Sequence, residues 1–226
     1  MFACGLDIGQ SSDYTALSIL HYREPPTLEE KEHFYPNPLT GGVVKVTERR
    51  PIPRLDQAPT WHLRHVERWR GKSYGDMVKQ VKARVERLVE PYLLAVDFTG
   101  VGRAVAEMVR DADLAPVLVT IHGGDRATYS DGSWRVPKRD LVSVVQLGLQ
   151  NRSLGIADRQ QWTPLVVSEL QNFRQKIDPA TAHDSYSAWR ENDHDDITLS
   201  IALALWASQN AARRVSSVPL PDSWQS

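Results

Sequence analysis

The stretch "LLAVDFTGVG" (93–102) constrains this chain most. Four apolar residues, Leu93 to Val96, lead straight into Asp97, and glycines follow at 100 and 102. An apolar run of this length between turn signals reads as a buried strand. A carboxylate at its end costs several kcal/mol if it is buried and unpaired. A tight turn accounts for the glycines but not for the acid. Such a strand needs helices packed on both of its faces, which points to an α/β sheet.

The surrounding periodicity agrees. "FACGLDIG" (2–9) and "YTALSILHYR" (14–23) read as a hairpin, and "TWHLRHVERWR" (60–70) as a third strand. Between them, 24–59 holds seven of the fourteen prolines and reads as an elaborated, strand-containing connection. Ser73 is placed to cap a helix with Val78, Val81, Val85 and Leu88 on one side. Beyond the central strand at 92–97, the pattern predicts a helix at 101–110, a strand at 115–123 and helices at 138–150 and 162–175. It then predicts a strand at 182–190 and a broadly apolar helix over 195–212. Strands come first as an antiparallel meander and then alternate with helices. This predicts a central mixed β-sheet of five or more strands flanked by α-helices, in one domain over 1–212, with a loose tail at 213–226.

Composition removes other classes. The 226 residues carry a formal net charge of −1 and are 41% hydrophobic, as in globular proteins rather than tails or basic coats. No apolar run reaches the length of a membrane span. The single cysteine, Cys4, permits no internal disulfide and suggests a reducing compartment. His62, His65 and His122 lack zinc spacing with it.

Four acids stand at the edges of apolar elements: Asp7 in the first strand, Asp97, and Asp195 with Asp196 at the start of the last helix. They come from three distant parts of the chain. Converging there, they would repel one another unless divalent cations neutralised them. Mg²⁺ or Mn²⁺ takes such hard oxygen ligands, and two ions together can cleave phosphodiesters. Each acid also has a plainer explanation. Asp195 and Asp196 serve equally well as helix caps, Asp7 as an end-of-strand turn residue, and Asp97 as a partner for turn amides. His194 is a solvent-exposed residue or one that orients a site carboxylate. Asp13 reads as a turn residue. Arg126, Arg135, Lys138 and Arg139 form a local basic cluster near Trp134, suited to DNA phosphates or to an exposed loop and helix start.

The order "GLDIGQSSDYTAL … VDFTGVG … WRVPKRDLV … EL…F … HDDITLSIALALW" resembles the nuclease domain of the large terminase subunit of tailed bacteriophages. The resemblance spans nearly the whole chain and is weakest over 24–59. It implies an RNase H-like (retroviral-integrase-like) fold and a two-metal endonuclease that cuts concatemeric viral double-stranded DNA. Asp7, Asp97 and Asp195 or Asp196, or both, would be its acidic cluster, holding two Mg²⁺ or Mn²⁺ ions. It implies as partners DNA, an ATPase motor domain, the portal and the small terminase subunit, with no membrane, in the host cytoplasm. One departure stands out. The motor's G-x-x-x-x-G-K-[ST] loop is absent, since the glycine pairs at 41–42 and 123–124 are not followed by Lys-Ser or Lys-Thr. Other readings stay open: a Holliday-junction resolvase or RNase H-type nuclease with the same acids, and a non-catalytic scaffold of the same fold. A member of the sugar-kinase, actin and Hsp70 group would need two such domains, for which this chain is too short.

Overall fold

The computed structural model describes residues 1–10, 13–23, 28–38, 40–51, 60–176 and 194–211. Its main sheet has eight strands in the order β10-β5-β2-β1-β6-β7-β9-β8. The centre is β1 (Phe2–Asp7), antiparallel to β2 (Tyr14–Tyr22) and parallel to β6 (Tyr92–Asp97). β5 (Trp61–Arg70) pairs antiparallel with β2 and parallel with the short β10 (Leu154–Ile156). On the other side, β7 (Pro116–His122) runs parallel to β6 and to β9 (Ser133–Pro137), and β8 (Thr128–Ser130) closes the edge antiparallel to β9. The mixed sheet, with its meander before its parallel strands, is therefore as the periodicity predicts. The connection at 24–59 contains a separate hairpin, β3 (Leu28–Pro36) with β4 (Val43–Pro51), which exposes Phe34, Tyr35 and Val43.

Period-two alternation sends successive side chains to opposite faces. Cys4, Leu6, Ile8, Leu94 and Val96 meet Met77, Val78, Val81 and Val85 of α1 (Tyr74–Val85) and Val105, Ala106 and Val109 of α2 (Gly102–Asp111). Ala3, Ala16, Ala95 and Val119 face the other layer, made of α3 (Lys138–Gln150), α4 (Thr163–Lys176) and α5 (Asp196–Asn210). α5 packs on β1, β2 and β6 beneath α3 and α4. Every residue from Asp196 to Ala207 is consequently buried, and the helix is apolar nearly all round. Its approach is close enough to need a glycine below it. A Cβ on Gly5 would stand 1.8 Å from the Ser200 carbonyl oxygen. Beside it the Ser18 and Ser200 hydroxyls satisfy each other at 2.6 Å.

Three short strands escape the sequence pattern. β8, β9 and β10 are three to five residues long and have too few positions to display a period. The segment around Arg135 is thus strand β9, not a loop. Helix α1 ends at Val85, so Leu88 packs against that core from the turn beyond it. The strand expected at 182–190 and the tail at 213–226 lie outside the described residues. Among the described residues no helix is long and apolar enough to cross a membrane. Burial pushes the Cys4 thiol up to about 12, which leaves it chemically quiet.

Candidate active site

Asp7 and Asp97 are the last residues of adjacent parallel strands. Leu6 pairs with Val96, so the two acids stand level, and the alternation puts both on the α5 face. Each is 8% exposed. The start of α5, with Asp195 at its N-cap and Asp196 as its first residue, comes to the same sheet edge. All four acids line one groove of about 570 Å³, together with Tyr14, Thr99, Lys138 and His194.

The turn after Asp97 explains its glycines. Asp97 Oδ1 accepts the Thr99 N–H at 2.8 Å, and the Thr99 hydroxyl accepts the Ile121 N–H at 2.9 Å, tying the turn to β7. Gly100 has φ +57°, the left-handed region that disfavours a Cβ. A Cβ on Gly102 would lie 2.0 Å from the Asp97 carbonyl oxygen, so α2 can begin there only with glycine. Asp97 is thus a partner for a turn amide, through one oxygen.

The electrostatics are those of crowded carboxylates. Burial pushes Asp7 well above the usual carboxylate range, and the charges of Asp97, Asp195 and Asp196 push it further, against the pull of Lys138. Burial raises Asp97 to about 6, opposed by hydrogen bonds from Thr99 and Asp7 and by the Lys138 charge.

The helix acids differ, because each has a cation. Lys138 Nζ sits 2.9 Å from Asp195 Oδ2. Arg68 of β5 donates from Nη2 to Asp196 Oδ1 at 2.9 Å. Its Nε lies 2.5 Å from Asp196 Oδ2 as an ion contact, without hydrogen-bond alignment. The guanidinium is stacked on Tyr14, 3.7 Å from the ring centroid, which fixes its direction. Tyr14 also meets His194 edge-on at 4.8 Å. His194 is both exposed and part of the groove wall.

The capping explanation for the helix acids fails. Asp195 occupies the N-cap and makes no side-chain capping bond. The Thr198 N–H, in the first turn, is instead taken at 2.6 Å by Glu169 Oε1, from α4. Glu169 is 6% exposed, and burial pushes it up to about 7, with the Thr198 N–H opposing, Asp196 adding and Arg68 subtracting. Arg68 does not stand out when the sequence is read alone, and Glu169, although it opens the "EL…F" segment, is given no role in the site there. Arg68 is one basic residue among several in β5, with nothing local to distinguish it. Glu169 did carry a signal: it falls on the buried stripe of α4 with Val166, Leu170 and Phe173, where an acid needs a reason.

Of the four basic candidates, Lys138 alone lines the groove. Arg139 pairs with Asp125 at 2.9 Å. Arg126 and Arg135 are exposed and outside the groove lining. Asp13 closes a turn through its N–H to the Gln10 carbonyl at 2.7 Å and reaches the groove rim.

The donor set suits hard divalent ions in kind, since it offers carboxylate oxygens alone, three of the four acids buried. The carboxylates do not enclose an ion as they stand: among the described residues no three His, Cys, Asp or Glu side chains are grouped to hold one. Two of the four are turned to Lys138 and Arg68, which supply the positive charge in this arrangement.

The architecture is found in solved nucleases. The crystal structure of the large terminase nuclease from thermophilic phage G20c with bound cobalt is similar at TM-score 0.53 and 21% identity, covering 91% of this chain and 80% of that one. A second crystal structure of the same nuclease gives TM-score 0.50 and 19% identity, covering 92% and 82%. No protein-family model and no curated protein matches the chain. The chain therefore has the RNase H-like fold in the form these large terminase nucleases take.

Proposed function

We propose that the protein is a metal-dependent endonuclease of the terminase type, which hydrolyses phosphodiester bonds of double-stranded viral DNA during packaging. The observation that carries this reading is the convergence of Asp7, Asp97, Asp195 and Asp196, from three distant segments, on one groove at the sheet edge. Buried carboxylates so placed lower the stability of the metal-free chain, and a ligand for them is the economical explanation. The cobalt in the G20c nuclease supports a divalent ion as that ligand.

Asp7 and Asp97 would hold the ions from the strands, and Asp195 and Asp196 from the helix. Bound Mg²⁺ or Mn²⁺ would supply Lewis acidity for activating a water and stabilising the leaving oxygen. The Thr99 N–H holds one Asp97 oxygen, Oδ1, on the turn, and the residue lines the groove. Lys138, on the groove wall, is placed to take a phosphate oxygen once the ions satisfy Asp195. Translocation along DNA would belong to a motor domain with a phosphate loop, of which this sequence has none.

The test is cleavage of supercoiled plasmid by the purified chain. Nicking and linearisation are expected in Mn²⁺ or Mg²⁺ and not in EDTA, with little sequence preference, weakening as salt rises. Asp97→Asn should abolish it. Selective cutting of four-way junctions over duplex would point to a resolvase. Folded protein that binds no metal and cuts nothing would leave a scaffold.

A further inference from the structure

We infer that Glu169 is a positioning residue of this site: by capping α5 from outside the helix, it leaves the Asp195 and Asp196 carboxylates available to the groove. The inference rests on the nuclease reading above and adds to it a residue that touches neither DNA nor ion.

An aspartate at an N-cap ordinarily turns its side chain onto an amide of the first turn, because those N–H groups have no partner within the helix. Here Asp195 holds that position with φ −120° and makes no such bond. Its Oδ2 goes to Lys138 at 2.9 Å, on the groove side. The first-turn amide of Thr198 is satisfied across the α4–α5 interface by Glu169 Oε1 at 2.6 Å. This is an unusual place for an acid. Glu169 is 6% exposed, lies among Val166, Leu170 and Phe173, and leaves Oε2 buried without a hydrogen-bond partner. A leucine would suit that position better on packing grounds alone. The bond to Thr198 gives the acid its reason. Without it, the Thr198 amide would be orphaned in the interior, and the nearest side chain built to rescue it is the N-cap aspartate. Asp195 would then withdraw from the groove, and the first turn of α5 would shift with it.

The separating experiment compares Glu169→Leu, which keeps bulk and removes the acceptor, with Glu169→Gln, which keeps an acceptor oxygen. Mn²⁺ affinity is measured by titration calorimetry, and plasmid cleavage is measured per folded molecule. Melting in EDTA shows which variants fold, and Glu169→Ala replaces the leucine variant if that one does not. Glu169→Leu should lose about 10–100-fold in Mn²⁺ affinity, the range for a residue that orients a ligand. Glu169→Gln should restore wild-type affinity. A purely structural Glu169 would change melting and leave the affinity of the folded protein unaltered. Wild-type affinity in Glu169→Leu, or a glutamine variant as weak as the leucine one, overturns the inference alone. A wild type whose Mn²⁺ binding is absent, or indifferent to Asp97→Asn, overturns the nuclease reading and this inference together.

Discussion

The two pairs of acids in the groove occupy different electrostatic worlds. Asp7 and Asp97 end strands, lie buried side by side, and have raised proton affinities because desolvation outweighs the donors around them. Asp195 and Asp196 begin a helix, and each faces a cation, Lys138 or Arg68. The strand acids are held in place by the sheet register and the Thr99 turn. The helix acids are held by α5, itself tied to α4 through Glu169. The contrast teaches how a chain tolerates four clustered carboxylates: the strand acids hold their protons more tightly than ordinary carboxylates do, and the helix acids borrow positive charge from side chains that an ion would displace.

The largest effect that could break this comparison is on cleavage. Asp7→Asn and Asp97→Asn should each reduce plasmid cutting in Mn²⁺ by more than about a hundredfold, since even residues that only orient a ligand cost about 10–100-fold. Near-normal rates from either variant would mean that the strand acids do not bind the catalytic ion.

Stability without metal should sort the two pairs in opposite directions. Arg68→Met leaves Asp196 buried and unpaired, and should cost about 3–5 kcal/mol in EDTA. Adding Asp196→Asn should recover much of that loss. Asp97→Asn, which relieves repulsion and keeps an oxygen for the Thr99 N–H, should hold stability level or raise it. Denaturant midpoints of the three variants decide the matter; a strongly destabilised Asp97→Asn would make that residue structural.

The pH dependence sharpens the same point. Asp97 titrates near 3.8 in the unfolded chain and about 6 in the fold, so the folded protein binds its proton more tightly. Its favourable contribution is complete below the unfolded value and is lost as pH rises through the folded one. In EDTA, Asp97→Asn should therefore gain on wild type between pH 4 and pH 7, by no more than about 3 kcal/mol for a shift of this size. Saturating Mn²⁺ should reverse the order, because the ion binds the charged form. Parallel melts across that range measure the difference, and a gap independent of pH would remove Asp97 from the titration.

The smallest effect belongs to Lys138. Its pair with Asp195 is partly solvated, so Lys138→Ala should cost under about 1 kcal/mol in EDTA. If it grips phosphate, cleavage by the variant should fall and its salt dependence should flatten. Unchanged salt dependence would confine Lys138 to the metal-free pair.

The sequence by itself determined the sheet's centre, the five helices of the described residues and the four candidate acids. Residues 2–7 and 92–97 are apolar runs that stop at Asp, and 14–22 is an apolar, partly alternating run beside them, which leaves few alternatives to buried strands. Local chemistry also showed that Asp97 sits against a tight turn. Tertiary structure alone decided what surrounds those acids. Arg68 reaches Asp196 across 128 positions, Lys138 reaches Asp195 across 57, and Glu169 caps Thr198 across 29. Charge pairing between distant segments leaves no periodic trace, because Coulomb attraction acts through space and a surface Arg and a site Arg are spelled alike. The short strands β8, β9 and β10 were decided the same way, by neighbours offering an open edge rather than by any pattern of their own.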